Sequence, residues 1–296
     1  MSADAENAAW IASILEAGSD LSPRLIYADW LEEQGQVERA EFIRLACQLT
    51  TLAATDPRRA TIAQRLNALE SAHERQWLKP LRQIGGTWRF LWGEAFVEEA
   101  VLRAADLIQH AELIYRHTPL TRVHLREARG HVAALGRIPP LRWLTHLQLT
   151  GVEIFDPSPA AGQPSSRFVE GIGDAGASEL AQLTHFSRLL HLGLAHNQIG
   201  KPGLQALAQW PAFAALQSLD LSHNELDDEA ASILAAVPFS RLQTLHIQGN
   251  RLTHQGWLAL VGSPALARLQ CLRTGPITNL STRFALRVRF RGGLQD

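Results

Sequence analysis

Cysteine is almost missing from this 296-residue chain: Cys47 and Cys271 are the only two, and neither belongs to a CxxC. That argues against a disulfide framework or a cysteine-built zinc site and suits a reducing, cytoplasmic setting. Long apolar runs are also missing, and the acidic start MSADAENAAWIASILEAG has no basic n-region. Neither a membrane span nor a signal peptide is therefore expected. Excess charge is absent too: 28 basic residues against 29 acidic leave a net −1. Bulk basicity thus gives no route to nucleic acid, which is not an expected partner.

What is present is leucine at fixed spacing. Residues 189–199 read LLHLGLAHNQI, 216–226 read LQSLDLSHNEL and 242–252 read LQTLHIQGNRL, at intervals of 27 and 26 residues. Each closes on an asparagine (Asn197, Asn224, Asn250) and is followed by an amphipathic, helix-like segment. This LxxLxLxxNxL pattern resembles the leucine-rich repeat, a unit whose apolar face is buried only by stacking on its neighbours. LTRVHL at 120–125 and LTHLQL at 144–149 extend the series upstream. The 45 residues from Leu144 to Leu189 exceed one unit, and the excess, rich in Pro, Ser and Gly, reads as a loop inserted at about 155–172. No phosphate-cradling motif is expected: no GxGxxG is read after a strand, and no GxxxxGK[ST] occurs. Downstream, LARLQCL (266–272) reads as a degenerate repeat. RFALRVRF (283–290) reads as a terminal strand, with Phe284 and Phe290 inside and arginines outside.

Ahead of the repeats the pattern is helical. Helices are expected over 4–17, over a segment opened by an Ser22-Pro23 cap with Leu25, Ile26, Asp29 and Trp30 inward, over 38–53, and from Asp56-Pro57 onward. The words RLIYADWLEEQG and EFIRLACQL, with WGEAFVEEAVL at 92–102, resemble the repeat-companion domain at the N-terminus of certain bacterial leucine-rich-repeat proteins. Glu94-Ala95 stands where that family more usually has an Arg-Gly pair. The resemblance covers essentially the whole chain. It implies an α/β solenoid of ribonuclease-inhibitor-like repeats over 86–296, behind a helical cap over 1–85, and it carries over no activity.

In an LxxLxL strand the leucines point into the core and the residues between them line the concave sheet, with strands about 4.8 Å apart. Three lateral rows follow. The first is Arg122, His146, His191, Ser218, Thr244, Arg268; the second His124, Gln148, Gly193, Asp220, His246, Gln270; the third Arg126, Thr150, Ala195, Ser222, Gln248, Leu272. Gly193 and Ala195 leave a shallow place for a bulky partner side chain. Contacts with a protein or peptide partner are expected at His124, Arg126, His146, Gln148, His191, Asp220, His246 and Gln248.

Two catalytic or metal readings compete with this one. His146 and His191, with His124 diagonal, have imidazoles for a transition metal, but no cysteine or carboxylate completes the set. Ser218 or Ser222 with Asp220 and His246 has the composition of a triad, but the acid stands between nucleophile and base. No metal or cofactor is expected. The function expected is non-enzymatic recognition through the concave sheet; the alternative is an enzyme, or an obligate enzyme subunit, using the concave histidines or the 155–172 insertion.

Overall fold

The computed structural model describes residues 3–90, 95–155, 167–277, 279–290 and 294–295. Contacts group them into two units, one of residues 1–102 with 109–123, the other of 103–108 with 124–296. No helix among the described residues is long and apolar enough to cross a membrane.

The first unit holds α1 (Ala3–Ala17), α2 (Ser22–Glu33), α3 (Val37–Thr51), α4 (Arg58–Trp77) and the single turn α5 (Lys79–Arg82). Then come β1 (Thr87–Phe90) and β2 (Val97–Arg103), paired antiparallel. The four long helices fall where the apolar periodicity places them, but α2 turns a different face inward. It buries Arg24, Tyr27, Ala28 and Leu31, while Leu25 and Ile26 are 41% and 51% exposed and Asp29 is exposed as well. The inward stripe is displaced because Arg24 is held inside by partners. It lies 3.1 Å from the Glu98 carboxylate and donates to Gly18 O at 3.0 Å, so its charge is compensated. The helix also starts earlier than expected. Asp20 accepts from both the backbone N–H and the hydroxyl of Ser22, and Ser22 is already helical instead of being the cap.

A second arginine shapes this unit. The Arg39 guanidinium carbon stands 4.7 to 5.5 Å from the ring centroids of Phe42, Trp77, Phe90 and Phe96. Burial pulls its pKa down to about 10, and the facing π-clouds offset part of the cost of desolvating the charge. Burial likewise pushes the Tyr27 phenol up to about 12; its hydroxyl donates to Asn7 Oδ1 at 2.6 Å. Phe90 reaches this cluster on β1, a strand the sequence reading passed over. A tight turn precedes β1: Gly86 has φ +80°, and a Cβ there would sit 2.4 Å from Leu102 Cδ2. Of the WGEAFVEEAVL stretch, residues 92–94 lie outside the described residues.

Next in the chain are α6 (Ala104–His117), β3 (Arg122–Arg126) and the single turn α7 (Val132–Leu135). The second unit then repeats strand and helix: β4 (His146–Leu149), β5 (Val152–Phe155), β6 (Arg167–Glu170), α8 (Gly173–Ala181), β7 (His191–Gly193), α9 (Lys201–Ala208), α10 (Pro211–Ala214), β8 (Ser218–Asp220), α11 (Asp228–Ala236), β9 (Thr244–His246), α12 (His254–Gly262), β10 (Cys271–Arg273), α13 (Leu280–Arg289) and β11 (Leu294–Gln295). Strands β4, β7, β8, β9, β10 and β11 lie side by side in that order. All are parallel, and Leu147, Leu192, Leu219, Leu245 and Leu272 stand in one buried line.

The asparagines bind the turns. Asn224 Oδ1 accepts the N–H groups of Asn197 and Ile199, each at 3.0 Å. Its Nδ2 donates to Leu194, Leu221 and Ser222 carbonyls. Each rung satisfies backbone groups of the unit before it, which a strand that is only three residues long cannot pair by itself.

Three expectations are corrected here. The stretch read as a loop at about 155–172 begins in strand at Phe155 and holds a second strand at Arg167–Glu170: β5 and β6 pair antiparallel, Phe155 opposite Arg167. VEIF and RFVE have the β-branched and aromatic content that suits pairing; residues 156–166 between them lie outside the described residues. The last repeat aligns on Leu269, not Leu266, because Cys271 pairs with Thr244 and Leu272 with Leu245. Leu266 instead ends a short 3₁₀ turn, Pro264–Leu266, so LARL only imitates the repeat. RFALRVRF is helical: Asn279 caps α13 by accepting the Thr282 N–H at 3.0 Å, and Thr282, Leu286 and Phe290 face inward at a four-residue spacing. Phe284, expected inside, is 72% exposed. The cap and the core contacts outweigh the period-two pattern.

Candidate functional site

The alternate residues of β4, β7, β8 and β9 face away from the leucine line, and the parallel register brings them into rows. His146, His191, Ser218 and Thr244 follow one another across the sheet, as do Gln148, Gly193, Asp220 and His246. From β4 to β9 the first two rows therefore hold as expected. In β10 they continue with Cys271 and Arg273, in place of Arg268 and Gln270, because of the three-residue shift of the last repeat.

These rows enclose a depression of about 210 Å³ lined by His146, Gln148, His191, Gly193, Ser218, Asp220 and His246. Five of the eight expected contact residues meet there. His146 and His191 stack with centroids 3.9 Å apart and planes 9° from parallel; the Thr145 hydroxyl lies 2.9 Å from His146 Nδ1. Asp220 Oδ1 accepts the Ser222 N–H at 2.9 Å, which fixes the carboxylate, and its Oδ2 lies 3.7 Å from His246 Nδ1.

The other three expected residues stand elsewhere. His124 and Arg126 lie on β3, half-buried and exposed respectively. Gln248 follows β9, half-buried, with its Oε1 accepting no hydrogen bond among the described residues. The third row does not present a face as the first two do. Ala195 and Ser222 are buried, because the strands end one or two residues earlier and the chain turns at left-handed His196 and His223, with φ of 57° and 53°.

The shallow place expected over Gly193 is already occupied. A Cβ at Gly193 would stand 2.9 Å from Gln148 Cγ, so the glycine makes room for Gln148 and not for a partner. Ser218 also lines the depression, although the sequence reading left it out of the contact set. Its place between His191 and Thr244 in the first row was the available signal.

The chemistry open to this face is hydrogen bonding and charge complementarity. Among the described residues, neither the Ser218 nor the Ser222 hydroxyl hydrogen-bonds His246. No group of three or more His, Cys, Asp or Glu converges as a metal site among the described residues.

Contrary to the expectation, a GxGxxG does follow a strand: Gly171 comes directly after β6, and Gly173 and Gly176 lie at the start of α8. Its glycines serve packing. A Cβ at Gly171 would meet the Asn197 backbone at 2.4 Å and one at Gly176 would meet Ile172 Cβ at 2.6 Å, while the Gly173 N–H donates to Asn197 O.

Residues 188–208 and 215–235 match the family model described as Leucine Rich repeat, and no curated protein matches the chain. The two matched stretches carry β7 with α9 and β8 with α11. The units recognisable as leucine-rich repeats are thus those that place His191, Gly193, Ser218 and Asp220 in the depression.

Proposed function

We propose that the chain is a non-enzymatic recognition scaffold of the cytoplasm, binding a protein or peptide through the sheet face of its repeats. Leucine-rich repeats generally serve protein–protein interaction, and two units here match that family's model. In this reading residues 86–296 form a solenoid and residues 1–85 a helical cap of the bacterial repeat-companion type. Cys47 and Cys271, both free, support a reducing compartment. The contact set is His124, Arg126, His146, Gln148, His191, Asp220, His246 and Gln248. The observation that carries the reading is the depression of about 210 Å³ in which five of these meet. A preformed surface of this kind keeps the ordering cost of binding low on the scaffold side.

A second reading, catalysis on the same face, has the approach of Asp220 to His246 in its favour. Native co-purification with mass spectrometry separates the two, comparing wild type with a His146→Glu, His246→Glu double variant. A partner held by wild type and lost by the variant supports the scaffold. The same partners with both proteins move the site off this face, and no partner with either favours the catalytic reading.

A further inference from the structure

The asparagine ladder stops one rung short. Asn197 Oδ1 accepts the Ile172 N–H, Asn224 Oδ1 accepts the Ile199 N–H and Asn250 Oδ1 accepts the Leu226 N–H, each rung serving the residue that lies two places beyond the preceding asparagine in the last two cases. On the donor side, Asn250 Nδ2 reaches Leu221 O of the preceding repeat and Ile247 O of its own. Leu221 O thereby accepts two amide donors, from Asn224 and from Asn250.

Carried forward along the pairing of Thr244 with Cys271, the next rung falls at Ile277, which has no amide. Asn279, two residues on, is engaged as the cap of α13. The Leu252 N–H accordingly donates to no acceptor among the described residues, and Ile247 O accepts only the one side-chain amide. At this position the structure has a cavity of about 490 Å³, lined by Ile247, Asn250, Leu252 and Thr274, with Trp257 and Ile277 among its apolar walls. That volume lies in the range of small-ligand sites.

We propose that this cavity binds a primary carboxamide, presented as an asparagine side chain of a bound peptide. The amide oxygen accepts the Leu252 N–H, and the amide nitrogen donates to the free lone pairs of Ile247 O and Thr274 O, as Asn250 does to Leu221 O and Ile247 O. A carboxylate supplies the acceptor but meets two carbonyl oxygens with no hydrogen to give, and an aliphatic side chain leaves every polar group unpaired. The site is separate from the sheet-face depression, and the proposal stands or falls independently of it.

The test is ¹H–¹⁵N NMR of the full chain, following the Leu252 amide during titration with N-acetyl-asparagine N-methylamide and its aspartate and leucine counterparts. The asparagine probe is expected to shift that resonance saturably, at least about tenfold tighter than either counterpart, as for a site built around paired hydrogen bonds. Equal responses to the leucine probe would mean an unselective apolar hole, and a response to aspartate alone would mean an anion site; either overturns the proposal, as does silence with all three. Ile277→Trp, filling the cavity from its half-exposed rim, is expected to abolish the asparagine response in a folded protein. An unchanged response in that variant places the binding elsewhere.

Discussion

The imidazoles of His146 and His191 lie ring over ring, 3.9 Å between centroids, on adjacent parallel strands. Both side chains remain half-buried at the surface of the sheet, next to Leu192, which is buried. His191→Ala is therefore expected to alter stability by no more than about 0.5 kcal/mol. Leu192→Ala, which leaves a hole in the leucine line, is expected to cost about 2–5 kcal/mol. Urea denaturation of the two variants checks the contrast; comparable losses would show the histidine pair to be structural.

Asn224 is the most fully engaged rung of the ladder. Its amide serves two backbone N–H groups and three carbonyls in a buried position. Asn250, only part-buried, serves one N–H and two carbonyls. Leaving a buried polar group unpaired costs about 1–3 kcal/mol, so Asn224→Ala is expected to destabilise clearly more than Asn250→Ala. Chemical denaturation midpoints of the pair give the order.

The ion pair of Arg24 and Glu98 is buried, with 10% and 8% of the side chains exposed. Removing one partner of such a pair costs about 3–5 kcal/mol, and replacing both with apolar residues is far milder. Glu98→Leu alone is expected to destabilise the protein strongly, and adding Arg24→Met is expected to restore most of the loss. Thermal unfolding of the two single variants and the double variant measures the coupling.

His185 carries the acid sensitivity that burial imposes. Its ring packs on Phe186 at 4.5 Å, and desolvation lowers its pKa from the usual 6.5. The unfolded chain therefore takes up the proton first as pH falls. The stability contributed by the neutral ring is full above pH 6.5 and is lost as pH drops from there through the folded-state value. Wild type is expected to lose more melting temperature than His185→Gln on going from pH 7.5 to pH 5.5. Parallel pH profiles for the two proteins would contradict this.

The site was readable to the extent that its residues follow the period of a strand. Leucines two apart fix which side chains face out, and the asparagines fix the phase, so His146, His191, Asp220 and His246 come together as their spacing requires. The last repeat was misphased because LARL and LQCL both offer leucines three apart. Only pairing with Thr244 selects the second. The third row failed because the left-handed turns at His196 and His223 end the strands before it.

The sequence by itself determined the repeat: leucine and asparagine at intervals of 27 and 26 leave stacking as the way to bury the apolar faces. Tertiary structure alone decided where charge could be buried and where the pattern ends. Arg24 is inside because Glu98, 74 positions away, meets it, and Arg39 because four rings surround it. RFALRVRF became a helix because Asn279 caps it and Leu286 and Phe290 find a core. A local pattern records the period of one segment. It holds no information about a partner that another segment brings into contact, and that contact sets the balance between desolvation and pairing.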